Sequence, residues 1–297
     1  MDIIKINNIT KDYGEGRGIF DVSFSVKEGE IMGFLGPNGA GKTTTIRHLL
    51  GFINPEKGNA TIKDMDCFRN SDIISKDLAY LPGEISFFDN MTGDEFIDFI
   101  AKMKGMTDMS YAKLYKSKFE LDANIMIKKM SKGMKQKLGL IVALMQNANI
   151  LVLDEPTSGL DPLMQNRFIE IILDLKKRGK TILMSSHLFE EIEKTCDRVA
   201  IIKKGKIVAV EDVEKLRHNK EKNYEIEFEN LEVCQKFVKE NPELDAKINN
   251  KTVIISYSND INKLLNLISK YKINDLNIYQ KTLEELFMHF YGGEQND

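Results

Sequence analysis

Apolar residues recur along this chain at two different periods, and these periods predict where strands and helices lie. Uninterrupted apolar runs at residues 31–35 and 150–153 are typical of strands that are buried on both faces. Residues 20–26 instead alternate between apolar and polar types, as a half-exposed strand does. Helical spacing prevails from about residue 86 to residue 147. We therefore predict an α/β core with an antiparallel β edge and a helical insertion at about residues 86–147.

The composition changes near residues 211–222, where charged residues replace the periodic pattern. This stretch predicts a boundary between a first domain, residues 1–217, and a second, residues 223–297. Beyond the boundary the pattern predicts elements in the order βαββαβ, followed by a last helix that Thr282 and Glu285 open as a capping box. That order is typical of a small α+β domain with a ferredoxin-like arrangement.

One glycine-rich segment, residues 36–43, follows a predicted buried strand and precedes a predicted helix. We call it the phosphate loop, because strand, glycine-rich loop and helix together are typical of a nucleoside triphosphate site. An ordinary glycine-rich turn is the alternative, and the two correct flanks disfavour it. Lys42 is expected to reach the β- and γ-phosphates, and the Thr43 hydroxyl to bind Mg²⁺. The predicted nucleotide-binding residues here are Gly36, Pro37, Asn38, Gly39, Ala40, Gly41, Lys42, Thr43 and Thr44.

An acidic pair, Asp154 and Glu155, comes directly after the apolar run at residues 150–153. Asp154 is placed to hold Mg²⁺ directly or through water. Glu155 is placed to orient or deprotonate an attacking water molecule. A helix cap or a solvated turn is a common alternative for such a pair.

Composition narrows the choice of partner and compartment. The chain has 297 residues and a formal net charge of −3, which gives no electrostatic reason to expect nucleic acid as a partner. Three widely separated cysteines indicate reduced thiols in a cytosolic compartment. The N-terminal residues predict no signal peptide, and the longest nearly apolar stretch, residues 138–145, is too short to span a bilayer. If the protein works at a membrane, another chain must cross it.

Several segments make the chain similar to the ATPase subunit of ATP-binding cassette (ABC) transporters. They follow the order of that family over about residues 13–187. The region from about residue 223 resembles the small extra domain found in drug, bacteriocin and polysaccharide exporters. The matching segments are the Walker A motif at residues 36–43, the signature Met130-Ser131-Lys132-Gly133-Met134, the Walker B motif at residues 150–154 with Glu155, the D-loop at residues 158–161, and the switch histidine His187.

The resemblance implies roles for residues that no local pattern singles out. Tyr13 would stack on adenine, although a lone tyrosine is also common at a strand edge. His187 would sense the γ-phosphate. Ser131 and Gly133, at a helix N-terminus, would contact a γ-phosphate, and Asp161 of the D-loop would belong to the same nucleotide site.

The resemblance also implies a fold, an activity and an assembly. The first domain would be a P-loop ABC core that binds ATP and Mg²⁺ and hydrolyses ATP. Two cassettes, as a homodimer or with a related partner chain as the alternative, would hold each ATP between Walker A of one chain and the signature of the other. The pair would drive export through a transmembrane permease subunit on a separate chain, from a peripheral position on the cytoplasmic face of the membrane.

Two features depart from the family pattern. In the signature, Lys132 stands where a glycine is usual and Met134 where a glutamine is usual. The Q-loop glutamine is absent, and Gly83 aligns with its position. The neighbouring Glu84 is either a substitute contact to metal or water, or a solvated loop carboxylate. The aromatic residues of the segment 87–99 are expected in the core, with a groove for a membrane partner as the alternative.

Two other functions remain open from the sequence. A soluble ABC ATPase that acts on ribosomes or DNA usually carries two cassettes, or a long coiled coil within one, and this chain has neither pattern. An importer ATPase is a closer alternative. The altered Q-loop and the C-terminal resemblance favour an exporter over it.

Overall fold

The computed structural model describes residues 1–218, 222–257 and 260–280. The chain divides into two compact units, Met1–Glu214 and Lys215–Asp297. The division falls within the charged stretch where the sequence predicts a boundary. The last helix predicted from Thr282 lies outside the described residues.

The strands of the first unit extend the predicted ones. Strand β1 is longer than the predicted segment 3–9 because both of its edges pair with other strands. Residues 1–214 are all described, and their strands are β1 (Asp2–Asp12), β2 (Gly18–Lys27), β3 (Ile31–Leu35), β4 (Lys57–Ile62), β5 (Met65–Asp66), β6 (Leu78–Leu81), β7 (Ile150–Asp154), β8 (Thr181–Ser186), β9 (Arg198–Lys203) and β10 (Lys206–Asp212).

These strands form two sheets. The first is antiparallel, with the order β2-β1-β4-β5, and is the predicted antiparallel β edge. The second has the order β10-β9-β3-β8-β7-β6, in which only the edge strand β10 is antiparallel. Every residue of β3, β7 and β8 is buried, which confirms the interpretation of the uninterrupted apolar runs.

Three helices of the first unit begin at polar side-chain caps that the sequence identifies. Thr92 and Glu95 form the predicted capping box. Ser131 and Asp161 cap the next two long helices with their side chains, and Pro162 follows in the first turn. The helices are α1 (Lys42–Leu49), α2 (Ser71–Ile74), α3 (Gly93–Met103), α4 (Ser110–Lys118), α5 (Lys132–Leu144), α6 (Pro162–Lys177) and α7 (Phe189–Thr195), with a 3₁₀ turn at Ile127–Lys129. A further helix, α8 (Val213–His218), includes the point at which the chain divides into its two units.

Parallel pairing brings the carboxyl ends of three central strands together. Leu35 at the end of β3 pairs with Ser186 at the end of β8, and Ser185 pairs with Asp154 at the end of β7. In an open parallel sheet this edge is where ligands bind. The phosphate loop, the acidic pair and His187 therefore start from adjacent positions.

The second unit alternates strands and helices in the predicted order. Its described elements are β11 (Lys222–Phe228), α9 (Leu231–Glu240), β12 (Ala246–Asn249), β13 (Thr252–Tyr257), α10 (Ile261–Ile268) and β14 (Ile273–Gln280). The strands pair antiparallel in the order β12-β13-β11-β14. Buried side chains such as Phe228, Phe237 and Leu264 form its own apolar core.

A chain that ends after Arg217 is predicted to stay folded and to bind ATP, because the core of the first unit is made of its own residues. Circular dichroism should show cooperative unfolding. The apparent Kd for ATP should remain within about threefold of that of the full chain. Aggregation of the truncated chain, alongside a well-behaved full chain, would show that the two cores depend on each other.

Candidate nucleotide-binding site

The phosphate loop connects the end of β3 to the start of α1. Gly41 adopts φ 110°, in the left-handed region, and a Cβ atom there would lie 2.6 Å from Ile19 Cγ2. Lys42 begins the helix and is 5% exposed. Its Nζ donates hydrogen bonds to the carbonyl oxygens of Gly36 at 2.6 Å and Pro37 at 3.3 Å. The loop thus curls around its own lysine, and the N–H groups at the start of α1 have the arrangement that favours an anion.

The phosphate loop lines a cavity of about 510 Å³, a volume that suits a nucleotide. Tyr13, which is half-exposed, forms part of its wall, and Lys11 Nζ lies 5.8 Å from the centre of the Tyr13 ring. Arg17 and Lys204 add basic side chains to the lining. The predicted nucleotide-binding residues that line this cavity are Tyr13, Asn38, Gly39, Gly41, Lys42, Thr43 and Thr44.

Three predicted residues of the loop act through its backbone. The carbonyl oxygens of Gly36 and Pro37 accept hydrogen bonds from Lys42, as described above. Ala40 is buried, and its carbonyl oxygen accepts a hydrogen bond from the N–H of Gly205 at 2.9 Å. These contacts fix the path of the loop rather than line the cavity.

Asp154 is fully buried and binds two hydroxyl groups. Thr43 Oγ1 donates to Asp154 Oδ2 at 2.8 Å, and the Ser185 hydroxyl donates to Oδ1. The structure thus brings together Thr43 and Asp154, two of the three predicted contacts to Mg²⁺, which are 111 residues apart in the sequence. Both offer oxygen, the ligand atom that Mg²⁺ prefers.

The described part of the chain holds no cluster of three or more His, Cys, Asp or Glu residues that could bind a metal by themselves. Mg²⁺ commonly needs only one or two carboxylates, with water and substrate phosphates completing its shell. The Thr43–Asp154 pair fits that pattern, because it lies next to the phosphate loop.

A second cavity, of about 550 Å³, adjoins this pair. Glu84 is exposed on its wall, and the neighbouring Gly83 is so close that a Cβ atom there would lie 3.3 Å from Asp154 Oδ2. The role of Glu84 as a contact to metal or water stays a prediction. Tyr80 also lines this cavity. Burial, and to a smaller extent the negative charge of Asp154, raise the pKa of Tyr80 to about 12.

Glu155 lies between two of the predicted phosphate contacts. Its Oε1 forms an ion pair with Lys42 Nζ at 3.0 Å, and its Oε2 lies 2.6 Å from His187 Nδ1. A carboxylate can only accept a hydrogen bond, so the Nδ1 atom of His187 carries the proton in this arrangement. The ring then presents Nε2 away from Glu155.

The backbone of Glu155 is held in an unusual conformation. Its φ is 49°, in the left-handed region, which costs on the order of 1 kcal/mol for a residue with a side chain. Its N–H donates to Ser185 Oγ at 3.0 Å, and Gln136 Nε2 donates to its carbonyl oxygen at 3.3 Å and to that of Pro156 at 2.8 Å. These bonds from β8 and α5 aim the carboxyl group at Lys42 and His187.

The signature and the D-loop border the site, because Lys132 and Ser158 line the second cavity, but the residues predicted to contact nucleotide there do not. Ser131 caps α5 by accepting a hydrogen bond from Met134 N at 3.2 Å, and Asp161 caps α6 by accepting one from Met164 N at 3.0 Å. A Cβ atom at Gly133 would lie 2.8 Å from the Gly159 carbonyl oxygen, so the signature packs against the D-loop. Among residues 1–214, which are all described, Ser131, Gly133 and Asp161 line neither of the two cavities.

Sequence reasoning missed several residues of the site. Ser185 and Gln136 hold the acidic pair, and Arg17, Arg47 and Lys204 bring positive charge to the cavities. For Ser185 a signal existed, since it lies one residue before the end of a buried strand. The others approach the site from distant segments.

Comparisons with known proteins identify the family to which this chain is similar. The family model described as ABC transporter matches residues 19–158. An uncharacterised ABC transporter ATP-binding protein of Methanocaldococcus jannaschii is 39% identical over 218 residues, which are 71% of this chain and 79% of the relative. The bacitracin transport ATP-binding protein of Bacillus licheniformis is 33% identical over 302 residues and 98% of both chains. A Nod factor export ATP-binding protein of Burkholderia orbicola is 37% identical over 69% of both.

Solved structures share the fold. The ATP-binding subunit of an ABC transporter superposes with a TM-score of 0.66 at 27% identity, covering 73% of this chain and 92% of that chain. A dimeric bacterial ABC transporter cassette gives a TM-score of 0.64 at 24% identity, covering 71% of this chain and 98% of that chain. At that identity the second likeness shows the fold alone.

Proposed function

This chain belongs to the ABC transporter ATP-binding proteins, and from that premise we propose that two copies hydrolyse ATP between them and drive export through a separate membrane subunit. The chain is an ATPase of the ABC type. One observation carries the proposal for its site: Lys42, Asp154, Glu155 and His187 meet at the carboxyl ends of three adjacent strands.

We propose that ATP binding releases Glu155 from Lys42. Lys42 pairs with Glu155 across 3.0 Å, while the adjacent loop offers backbone N–H groups to phosphate. A γ-phosphate near Lys42 competes for the same ammonium group, so Glu155 exchanges this partner for the attacking water. Glu155 then accepts the proton of that water, and His187 contacts the γ-phosphate from the opposite side of Glu155 to Lys42. Mg²⁺ held at Thr43 and Asp154 would neutralise charge on the phosphates.

The proposed dimer follows from the residues that stay away from the cavities. Ser131 and Gly133 lie at the N-terminus of α5, a position suited to an anion, yet they do not line the cavities of their own chain. A second copy, placed head to tail, would bring this helix start to the phosphates. Asp161, next to the signature through the D-loop, would lie in the same interface.

Ser131→Arg is predicted to lower the ATPase rate by roughly 10²-fold or more, because a long cationic side chain would crowd the γ-phosphate that the partner chain binds. Ser131→Ala separates this effect from loss of the helix cap, which by itself costs about 1 kcal/mol of stability. Ser117→Arg, on the exposed face of α4, controls for the added charge. Steady-state ATPase assays at several protein concentrations measure both the rate and its dependence on assembly. Full activity of Ser131→Arg would exclude a shared site.

Two observations support a membrane partner: the names of the relatives and the exposed aromatic surface at Phe88. In the described ranges, no helix has the length and apolar character of a membrane span. The relatives named for bacitracin transport and Nod factor export support an export role for this chain. Phe88, about half-exposed and packed edge-on against Phe99 at 5.6 Å, offers apolar surface for a permease. The chain would then be peripheral on the cytoplasmic face of the membrane.

The second unit is proposed to be a ferredoxin-like accessory domain. Its βαββαβ order and the antiparallel strand order β12-β13-β11-β14 support that assignment. The bacitracin transport relative aligns over 98% of both chains, so its alignment includes this region.

Purification of the tagged chain from membranes tests the export role. A polytopic chain should co-purify in stoichiometric amount, and its presence should change the ATPase rate. Co-purification with ribosomes or DNA instead would favour the soluble alternative.

A further inference from the structure

Glu191 is a buried carboxyl group that the proposed reaction does not use. It lies in α7 and is 5% exposed. Its Oε2 accepts a hydrogen bond from Ser186 Oγ at 2.5 Å, and the same oxygen of Ser186 accepts one from Leu188 N at 3.0 Å. The carboxyl group therefore anchors the residues on both sides of His187.

Glu191 also reaches the loop that follows the predicted base. The side chain of Thr157, two residues after Glu155 and itself buried, interacts with the same carboxyl group. That loop is closed by a hydrogen bond from Ser158 N to Glu155 O at 3.2 Å. Within the described residues, Glu191 Oε1 has no hydrogen-bond partner. One side chain of α7 thus joins the loop of His187 to the loop of Glu155.

The surroundings of Glu191 make its charge sensitive to pH. Burial raises its pKa to about 7, the Ser186 and Thr157 hydroxyls oppose the rise, and the negative charge of Glu155 adds to it. The Cys196 thiol, directly after α7, is close enough for the charge of Glu191 to affect it, and burial raises the pKa of this thiol. The exposed Glu190 and Lys194 of the same helix pair with each other at 2.6 Å.

We propose that Glu191 is a positioning residue for ATP hydrolysis, which keeps the loop of His187 fixed against the loop that follows Glu155. The proposal rests on the roles proposed above for those two residues. The ionised carboxylate accepts a charge-assisted hydrogen bond from the Ser186 hydroxyl and also attracts the Thr157 hydroxyl. When it is protonated, both interactions lose the contribution of the negative charge and weaken. The positioning effect is therefore strongest above about pH 7 and fades below it.

The contribution of Glu191 to protein stability depends on pH in the opposite direction to its positioning effect. Its pKa in the folded protein lies above the ordinary value of 4.5, so the folded state binds this proton more tightly than the unfolded chain does. The resulting stabilisation is fully present below about pH 4.5 and is lost as the pH rises to about 7. Above that pH the carboxylate of Glu191 carries a buried negative charge, which holds the two loops in position but lowers the stability of the folded protein.

Glu191→Gln tests the proposal, because glutamine has the shape and hydrogen-bonding capacity of the neutral acid. The ratio of wild-type to variant kcat should rise from near 1 at pH 6 to about 5 at pH 8, with KM for ATP unchanged within about twofold. The ratio cancels the effect on kcat of the other titratable groups, which the wild type and the variant share. Glu190→Gln, an exposed change on the same helix, should give a ratio near 1 at every pH.

Thermal unfolding gives a second readout that needs no activity. The Tm of Glu191→Gln minus that of the wild type should increase by a few degrees between pH 5 and pH 8. A kcat ratio that does not change with pH, or a loss that appears in KM, would overturn the positioning role while leaving the ATPase function intact. Absence of ATPase activity in the wild type would instead contradict the proposed function, and this proposal with it.

Discussion

Glu155→Gln is expected to lower the rate of ATP hydrolysis by roughly 10²–10⁴-fold while ATP still binds. Glutamine keeps the size of the side chain and can still contact His187, but it cannot accept the proton of the attacking water. It also removes the negative charge that pairs with Lys42 at 3.0 Å, so phosphate no longer competes with a carboxylate. The Kd for ATP should therefore be unchanged or lower.

The same variant should report on assembly. Because ATP persists between two chains, Glu155→Gln should elute as a dimer on size exclusion with ATP and Mg²⁺, and as a monomer without nucleotide. His187→Ala should also slow hydrolysis and spare binding, with a less stable dimer. Normal hydrolysis by Glu155→Gln would reject it as the base, and Glu84→Gln, which changes another of the three carboxylates of the second cavity, would be the variant to measure next.

Lys42→Ala is expected to abolish hydrolysis and to weaken ATP binding by roughly 10–100-fold, the worth of one charged hydrogen bond. The lysine is 5% exposed and already bound by the carbonyl oxygens of its own loop, so its ammonium group is fixed where phosphate binds. Lys113→Ala, on the exposed surface of α4, is the matched control. Nucleotide affinity by isothermal titration and turnover by phosphate release measure the two effects. Wild-type turnover of Lys42→Ala would reject this phosphate site.

Local patterns predicted the core elements because burial imposes them directly. Strands β3 and β7 appear as uninterrupted apolar runs since both of their faces are covered. The caps at Thr92 and Asp161 were predictable because each side chain bonds a backbone group only three residues away. The strand predicted at residues 60–62 is longer, Lys57–Ile62, because pairing with β1 extends it. That pairing is a tertiary contact, which no local period contains.

The candidate site likewise has one part that local sequence predicts and another that depends on tertiary contacts. The spacing within the phosphate loop could be recognised from adjacent residues alone. The contacts of Glu155 could not, because Lys42, Gln136 and Ser185 reach it from α1, α5 and β8. The left-handed backbone of Glu155 is likewise stabilised by these distant partners. In the sequence, Glu191 is one of several charged residues of α7. Its burial depends on the packing of α7 against the loops of the site, which no local pattern shows.

The central claim is that ATP is hydrolysed between two chains, and mixing two inactive variants tests it most directly. Lys42→Ala lacks a working phosphate loop but keeps its signature, whereas Ser131→Arg has the reverse defect. In a mixed dimer, the phosphate loop of the second variant faces the intact signature of the first. Equimolar mixing should therefore restore about a quarter of wild-type ATPase activity, since half of the dimers are mixed and each has one complete site. A mixture as inactive as its two components would contradict the shared site.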